Sequence, residues 1–233
     1  MNTSLLSLLA FIATLFVAPG SFAVVTKSAD CASLAARAEA IPPASGAENY
    51  RATLAAWEAA YPVCQSEKPG SPVRVRSAMQ WSDILAARGD RAAAEKVLRT
   101  EITAIEKTGV RNDVVSIDLY RQLGSLLGTM ERHVEALQWL KAALQLEQTA
   151  HGATTVEAAE IVMMIGYAHE LRNDLAAAEN TYREAIRIAR KACAPPCATL
   201  ATAYTFLFNL IKTQPGRETE ASALDELVMN AVP

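Results

Sequence analysis

Few residues of this 233-residue chain could carry out catalysis. Its three histidines are His133, His151 and His169, and the pair His169-Glu170 lacks the second histidine that a zinc protease helix requires. The sequence contains no Gly-x-Ser-x-Gly elbow, no P-loop and no Gly-x-Gly-x-x-Gly fingerprint. We expect His133 at the start of a helix, His151 in a linker and His169 as a partly buried packing residue. The sequence therefore predicts a protein that is not an enzyme and that needs no metal or cofactor.

The four cysteines offer a different chemistry. An even number of cysteines favours disulfides in an exported chain, and the N-terminal segment described next predicts export. Three pairings are possible; we favour Cys31 with Cys64, which would tie two neighbouring helices, and Cys193 with Cys197 across a short turn. A thiol redox pair at Cys193 and Cys197 is a remote alternative, because their three-residue spacing differs from the two-residue spacing of thioredoxin-like sites.

The N-terminal residues have the pattern of a cleavable signal peptide. Residues 5–18 are apolar at all but two positions, and the small-x-small triplet Ser21-Phe22-Ala23 follows. A helix of that length spans only about 21 Å, less than the roughly 30 Å of a bilayer core. We predict cleavage after Ala23 and a mature protein that is periplasmic or secreted, with no stable membrane insertion.

The composition predicts a packed, helical protein. Hydrophobic residues make up 51% of the chain and charged residues 20%, which excludes a disordered polar chain. Alanine, the strongest helix former, occurs 45 times. The net charge of -3 offers no basic excess for binding phosphates, so we expect no nucleic-acid partner.

Residues of similar type recur at intervals of 42 positions, which indicates an internal repeat. One column is alanine in four of its five members: Ala52, Ala94, Ala136, Ala178 and Glu220. Another is apolar throughout: Trp81, Leu123, Ile165 and Leu207. A third begins with three small residues: Ser82, Gly124, Gly166 and Phe208. Because these columns share one register, they predict one structural unit repeated along the chain.

Each unit has the spacing of two amphipathic helices joined by a turn. Tyr120, Leu123 and Leu127 form an apolar stripe at helical spacing, and Leu137 and Leu140 begin another in the second half of the unit. Turn-forming pairs separate the helices at Gly89-Asp90, Glu131-Arg132, Asn173-Asp174 and Pro215-Gly216. We predict an all-α protein with a signal peptide at 1–23, an N-terminal cap hairpin at 24–70 and a repeat domain at 71–233, with units near 75–108, 117–150, 159–192 and 201–230.

Two of these units resemble the tetratricopeptide repeat pattern, in which Leu-Gly follows an aromatic position and a packing alanine marks the second helix. The matching segments are Tyr120-x2-Leu123-Gly124-x2-Leu127 and Val162-x2-Ile165-Gly166-x2-His169. The period is longer than the usual one for this family and is similar to that of repeats of the kinesin light chain type. This resemblance implies a right-handed superhelical solenoid of stacked antiparallel hairpins.

The resemblance also implies a concave face lined by the first helix of each unit, where such domains bind peptides or partner proteins. The residues expected on this peptide-binding groove are Arg76, Met79, Asp83, Asp118, Arg121, Ser125, Glu160, Met163, Tyr167, Asn209 and Lys212. They mix hydrogen-bonding groups with thioethers and an aromatic ring, which suits an extended peptide or a partner helix. The lysine and asparagine clamp with which some of these domains hold a C-terminal carboxylate is not expected here.

We therefore hypothesise an exported, non-catalytic protein-interaction module that binds a peptide or partner protein in its concave groove. An alternative is a self-assembling structural scaffold that associates through Val228, Met229 and neighbouring apolar residues at the open end. The remote alternative is the thiol redox protein that would use Cys193 and Cys197.

The alanine column predicts positions where paired helices come into close contact. Replacing Ala136 by leucine should lower the free energy of unfolding by about 1 to 3 kcal/mol, because the added methylenes overpack a tight site. Urea denaturation measures this change, and Ala150→Leu, in the predicted linker, is the control that should leave stability unaltered. Equal stability of the two variants would contradict the predicted packing.

Overall fold

The computed structural model describes residues 30–41, 47–109 and 113–231, so the predicted signal peptide at 1–23 lies outside the described residues. Ten α-helices make up this part of the chain: α1 (Cys31–Glu39), α2 (Ala47–Cys64), α3 (Pro72–Ala87), α4 (Arg91–Thr108), α5 (Asp113–Thr129), α6 (His133–Ala150), α7 (Val156–Leu171), α8 (Leu175–Ala192), α9 (Ala198–Ile211) and α10 (Glu218–Ala231). None of them is long and apolar enough to cross a membrane.

The helices pair as five antiparallel hairpins that stack in chain order. Each odd-numbered helix packs on the even-numbered helix that follows it, and α1, α3, α5, α7 and α9 lie side by side along one face. The all-α, right-handed superhelical solenoid predicted from the sequence is thus confirmed.

The turns inside three hairpins have the same geometry at equivalent positions of the repeat. Gly89, Glu131 and Asn173 have φ angles of 88°, 61° and 59°, which is left-handed backbone. In each turn the next residue donates its backbone N–H to a carbonyl five residues earlier, at 2.9 to 3.0 Å, as in a Schellman motif. The predicted turn pairs therefore end the first helix and set the direction of the second.

Small residues let the two helices of a hairpin touch. A Cβ on Gly124 would lie 2.7 Å from Cγ of Leu140, and one on Gly166 would lie 2.5 Å from Cε1 of Tyr182. Ala94, Ala136 and Ala178 are fully buried on the facing helices. The close-contact role predicted for these columns agrees with the structure.

Clusters of charges connect neighbouring second helices. Arg132, in the turn before α6, reaches Glu95 of α4 at 2.5 Å. Arg217, before α10, reaches Glu179 of α8 at 2.6 Å. Hydrogen bonds from Arg217 and then Arg183 lower the pKa of Glu179 to about 2, although its burial acts in the opposite direction. These clusters link the second hairpin to the third and the fourth to the fifth.

Both favoured cysteine pairings are present in the structure. The Cys31–Cys64 disulfide joins the start of α1 to the end of α2, with the Cα atoms 4.7 Å apart. The Cys193–Cys197 disulfide spans the linker from α8 to α9. The backbone N–H of Cys197 donates to the carbonyl of Ala231, so this linker also contacts the last helix.

One predicted boundary was wrong. The sequence placed Ala150 in the linker, but α6 continues through Ala150 and is capped by His151. Alanine is a strong helix former, so the helix extends to include Ala150. The backbone N–H of His151 donates to the carbonyl of Glu147 at 2.9 Å. Ala150 is nevertheless exposed, so it remains a suitable control position.

Two glycines on α5 provide a matched test of the close contact. Gly124→Ala should destabilise the fold because its Cβ meets Leu140, whereas a Cβ at Gly128 meets nothing within 4 Å. We expect Gly128→Ala to be neutral or stabilising by up to about 1 kcal/mol, since alanine is the better helix former. Thermal denaturation compares the two; an equal change in Tm would contradict the proposed contact.

Candidate functional site: a groove on the concave face

The first helices of the last three hairpins enclose a groove of about 850 Å³. Five residues that the sequence placed on the concave face line it: Arg121, Ser125, Glu160, Met163 and Tyr167. The groove residues that sequence reasoning missed include Gly128, Glu131, His133, Met164, Ala168 and Phe206. The walls are thus α5, α7 and α9, and the first turns of α6 form part of the floor.

Gly128 on α5 gives the groove its depth. Gly124 and Gly128 are one helical turn apart; Leu140 of α6 fills the space beside Gly124, whereas the space beside Gly128 is open. Above Gly128 there is open space, because a Cβ there would meet no atom within 4 Å. We call this depression at Gly128 the notch; the buried residues Gly124, Ala136 and Leu140 lie beneath it.

Aromatic rings and thioethers form the wall opposite α5. The ring of Tyr167 is tilted against that of Phe206, with centroids 6.1 Å apart, and Phe206 stacks on Tyr182 at 5.3 Å. Tyr182 donates its hydroxyl to Glu170 at 2.8 Å, and burial raises the pKa of Tyr182, so the hydroxyl stays neutral. Tyr167 is 47% exposed and presents its ring to a ligand.

Met163 contributes less surface than the sequence suggested. It is only 5% exposed, because it packs into the core between α7 and α9. Its neighbour Met164, which also lines the groove, is partly buried. The wall therefore has two adjacent methionines, of which helical spacing indicated only Met163.

Charged side chains at the end of the groove away from the aromatic rings form ion pairs with one another. Arg121 contacts Glu160 of α7 at 3.5 Å and Asp118 of α5 at 3.2 Å; Asp118, which the sequence placed in the groove, lies outside its lining. Glu160 also accepts a hydrogen bond from the Thr199 hydroxyl of α9 at 3.3 Å. These ion pairs and the hydrogen bond connect α5, α7 and α9, and Arg121 is paired with carboxylates.

The N-terminal part of the concave face is closed by a side-chain bridge. The Gln122 amide of α5 donates to the Met79 carbonyl at 2.9 Å and to an Asp83 carboxylate oxygen at 2.7 Å. Arg76 pairs with Glu39 of α1 at 3.1 Å. These predicted groove residues of α3 thus lie outside the groove, where they connect neighbouring first helices.

The two predicted residues at the end of α9 also lie outside the groove. Lys212 donates to the Asn209 side chain at 2.6 Å and covers the ring of Phe208 at 5.0 Å. Both are exposed. They shield an aromatic residue at the edge of the last hairpin.

The histidines occupy the places predicted for them. His133 is the first residue of α6, and its Nδ1 has no hydrogen-bond partner in the structure. His169 is partly buried, and burial lowers its pKa. Among the described residues, no group of three His, Cys, Asp or Glu side chains could hold a metal ion.

Comparison with known proteins supports the class of fold. The tetratricopeptide repeat family model matches residues 116–191, which include most of α5 and α6 to α8. The resemblance inferred from the Leu-Gly and alanine positions is therefore confirmed for this region. No curated protein matches the sequence.

Solved structures with the same fold are distant in sequence. The nearly identical TPR-like repeats of a Podosopora anserina putative kinesin light chain share 14% identity and superpose with a TM-score of 0.65, covering 85% of this chain and 92% of theirs. BtubC (BKLC) from P. vanneervenii shares 15% identity with a TM-score of 0.65, covering 78% and 73%. MamA from Desulfovibrio magneticus RS-1 shares 15% identity with a TM-score of 0.51, covering 78% and 85%. At these identities the likeness concerns the fold alone.

Proposed function

We propose that this protein is a non-catalytic interaction module that binds a segment of a partner chain in the groove between α5, α7 and α9. Tetratricopeptide-type solenoids are generally protein-interaction modules. The notch is the observation that supports the groove between α5, α7 and α9 as the binding site. It is the point on the concave face where the backbone of α5 leaves space next to an aromatic wall.

The lining specifies the chemistry of the ligand. The notch shares its groove with Tyr167 and Phe206, and the buried side chains of Ala136 and Leu140 lie beneath it, so it suits one bulky apolar side chain. The partly buried side chain of Met164 can adjust to its shape. Hydroxyl groups at the rim, Ser125, Thr129 and Thr202, can bond the polar backbone that flanks such a side chain. Because Arg121 is already paired, a carboxylate group is not required in the ligand.

Filling the notch tests the proposal without disturbing the core. A peptide would first be selected from a displayed random library on the wild-type protein. Its affinity would then be measured for Gly128→Leu, for Ala150→Leu as a matched control, and for the double variant Arg121→Ala, Tyr167→Ala. We expect Gly128→Leu and the double variant to weaken binding by at least about tenfold, or about 1.4 kcal/mol, while Ala150→Leu binds normally.

Circular dichroism must show that Gly128→Leu is folded, and the open space at Gly128 predicts that it is. Selected peptides that bind the wild type and Gly128→Leu equally would place the interaction elsewhere. The selected sequences give an independent check, since a set without a recurring bulky apolar residue would contradict the assigned role of the notch.

A self-assembling scaffold is the second candidate. Met229 at the end of α10 is 72% exposed, and Val228 is partly buried against the apolar core of the last two hairpins. The open end therefore offers some apolar surface. Light scattering at high protein concentration separates the candidates, because a strict monomer excludes the scaffold.

We also propose that the protein is exported to the periplasm or secreted. The apolar stretch at 5–18 and the two cysteine pairs support this proposal. Mass spectrometry of unreduced protein from its native host should find a chain that begins at Val24 and carries two disulfides. A cytoplasmic chain that retains residue 1, or one with free thiols at Cys193 and Cys197, would contradict it.

A further inference from the structure

The junction between α6 and α7 contains a carboxylate at a position that neighbouring hairpins fill with apolar side chains. Glu147 is 2% exposed, and the equivalent residues of the preceding and following repeats are Ile105 and Ala189, both in the apolar core. Burying a carboxylate is unfavourable unless its oxygens are hydrogen-bonded and its charge is compensated. The partners of Glu147 therefore decide how firmly this junction holds.

Both carboxylate oxygens contact the linker between the two helices. Oε2 of Glu147 lies 2.9 Å from Nδ1 of His151, the residue that caps α6. Oε1 accepts a hydrogen bond from the Thr155 hydroxyl at 2.7 Å. The Thr155 hydroxyl oxygen in turn accepts from the backbone N–H of Ala158 at 3.0 Å and so caps α7. One buried carboxylate thus joins the end of α6 to the start of α7.

The corresponding positions of the next junction are joined covalently. His151 and Thr155 are the repeat equivalents of Cys193 and Cys197, and the two cysteines form a disulfide. The repeat therefore brings these two linker positions together in both junctions, once through a disulfide and once through Glu147. The link at α6–α7 includes an imidazole, and protonation of that imidazole adds the attraction of opposite charges to its hydrogen bond with Glu147.

His151 can exchange protons with solvent, because 43% of its side chain is exposed. The hydrogen bond to Glu147, and then its charge, raise the pKa of His151; Glu157 of α7 and Asp113 of α5 add to this effect, and desolvation opposes it. Because the pKa is raised in the folded state, the stabilisation is fully present below the unfolded value of about 6.5 and is lost as the pH rises through the folded value.

We propose that Glu147, His151 and Thr155 form a pH-sensitive clasp, which holds the α7/α8 hairpin against the α5/α6 hairpin when His151 is protonated and loosens when His151 is neutral. Since α5 and α7 are facing walls of the groove, the clasp controls the spacing of these walls. Its effect on ligand binding rests on the proposed function, whereas the clasp itself can be measured without a ligand.

The three histidines make the first measurement simple, because few other side chains titrate between about pH 5.5 and pH 8.5 when all four cysteines are paired. NMR titration should give His151 a midpoint above about 6.5 and His169 one below it. Glu147→Gln keeps the side-chain shape but removes the charge, so it should lower the His151 midpoint.

Thermal denaturation then tests whether the clasp stabilises the fold. We expect the wild-type Tm to fall by about 2 °C more between pH 5.5 and pH 8.5 than that of His151→Gln, which is neutral throughout. His133→Gln is the matched control and should keep the wild-type pH dependence. His151→Arg stays charged, so its Tm should vary with pH no more than that of His151→Gln.

Pulsed electron paramagnetic resonance reports on the spacing of the hairpins. Spin labels at Ser125→Cys and Thr202→Cys lie on exposed positions of α5 and α9, so their distance spans the α6–α7 junction and the disulfide-closed α8–α9 junction, of which only the first should respond to pH. The distance distribution should broaden from pH 5.5 to pH 8.5 in the wild-type background. It should be broad at both pH values with His151→Gln and narrow at both with His151→Arg.

The clasp would be overturned if the spin-label distance distribution and the Tm changed with pH in the same way in the wild type and in His151→Gln. That result would leave the peptide-binding proposal intact, because the Gly128→Leu experiment does not involve His151. Conversely, normal peptide binding by Gly128→Leu would refute the proposed groove while leaving the distance measurement valid.

Discussion

Close contact between the two helices of the third and fourth hairpins is the constraint on which the structure depends. Gly124 against Leu140, and Gly166 against Tyr182, leave no room for a Cβ atom. The contact therefore fixes both the distance between the helices and their rotation. Because the contact recurs in two successive repeats, these two hairpins present similar apolar surfaces to their neighbours. Stacking then buries surfaces that a single hairpin would leave in water.

The groove is a local departure from that regularity. Gly128 adds a second missing side chain on α5, one turn beyond the glycine that packing requires, so the concave face deepens there. Nearer the N-terminus, Gln122 bridges α5 to α3, and the same face is closed. The fold thus provides one continuous surface, and a few side chains decide which part of it can receive a ligand.

The junctions between hairpins are more varied than the hairpins themselves. A buried ion pair, Arg74 with Glu101, holds the linker before α3 through two further bonds from Arg74 to backbone carbonyls. A carboxylate, an imidazole and a hydroxyl connect α6 to α7, and a disulfide connects α8 to α9. A solenoid has mainly contacts between neighbours, so each junction affects the curvature and stability of the whole stack.

The sequence by itself determined the helices, the hairpins, the turns and the small contact residues, because these depend on spacing within a single repeat. It also placed Arg121, Ser125, Glu160 and Tyr167 on the concave face that became the groove. Only the tertiary structure decided that Arg76, Met79 and Asp83 lie outside that groove and that Met163 is mostly buried. Those outcomes depend on bridges such as that of Gln122, and on the packing of helices from different hairpins. Helical periodicity predicts the direction of a side chain, but not the neighbour that it meets.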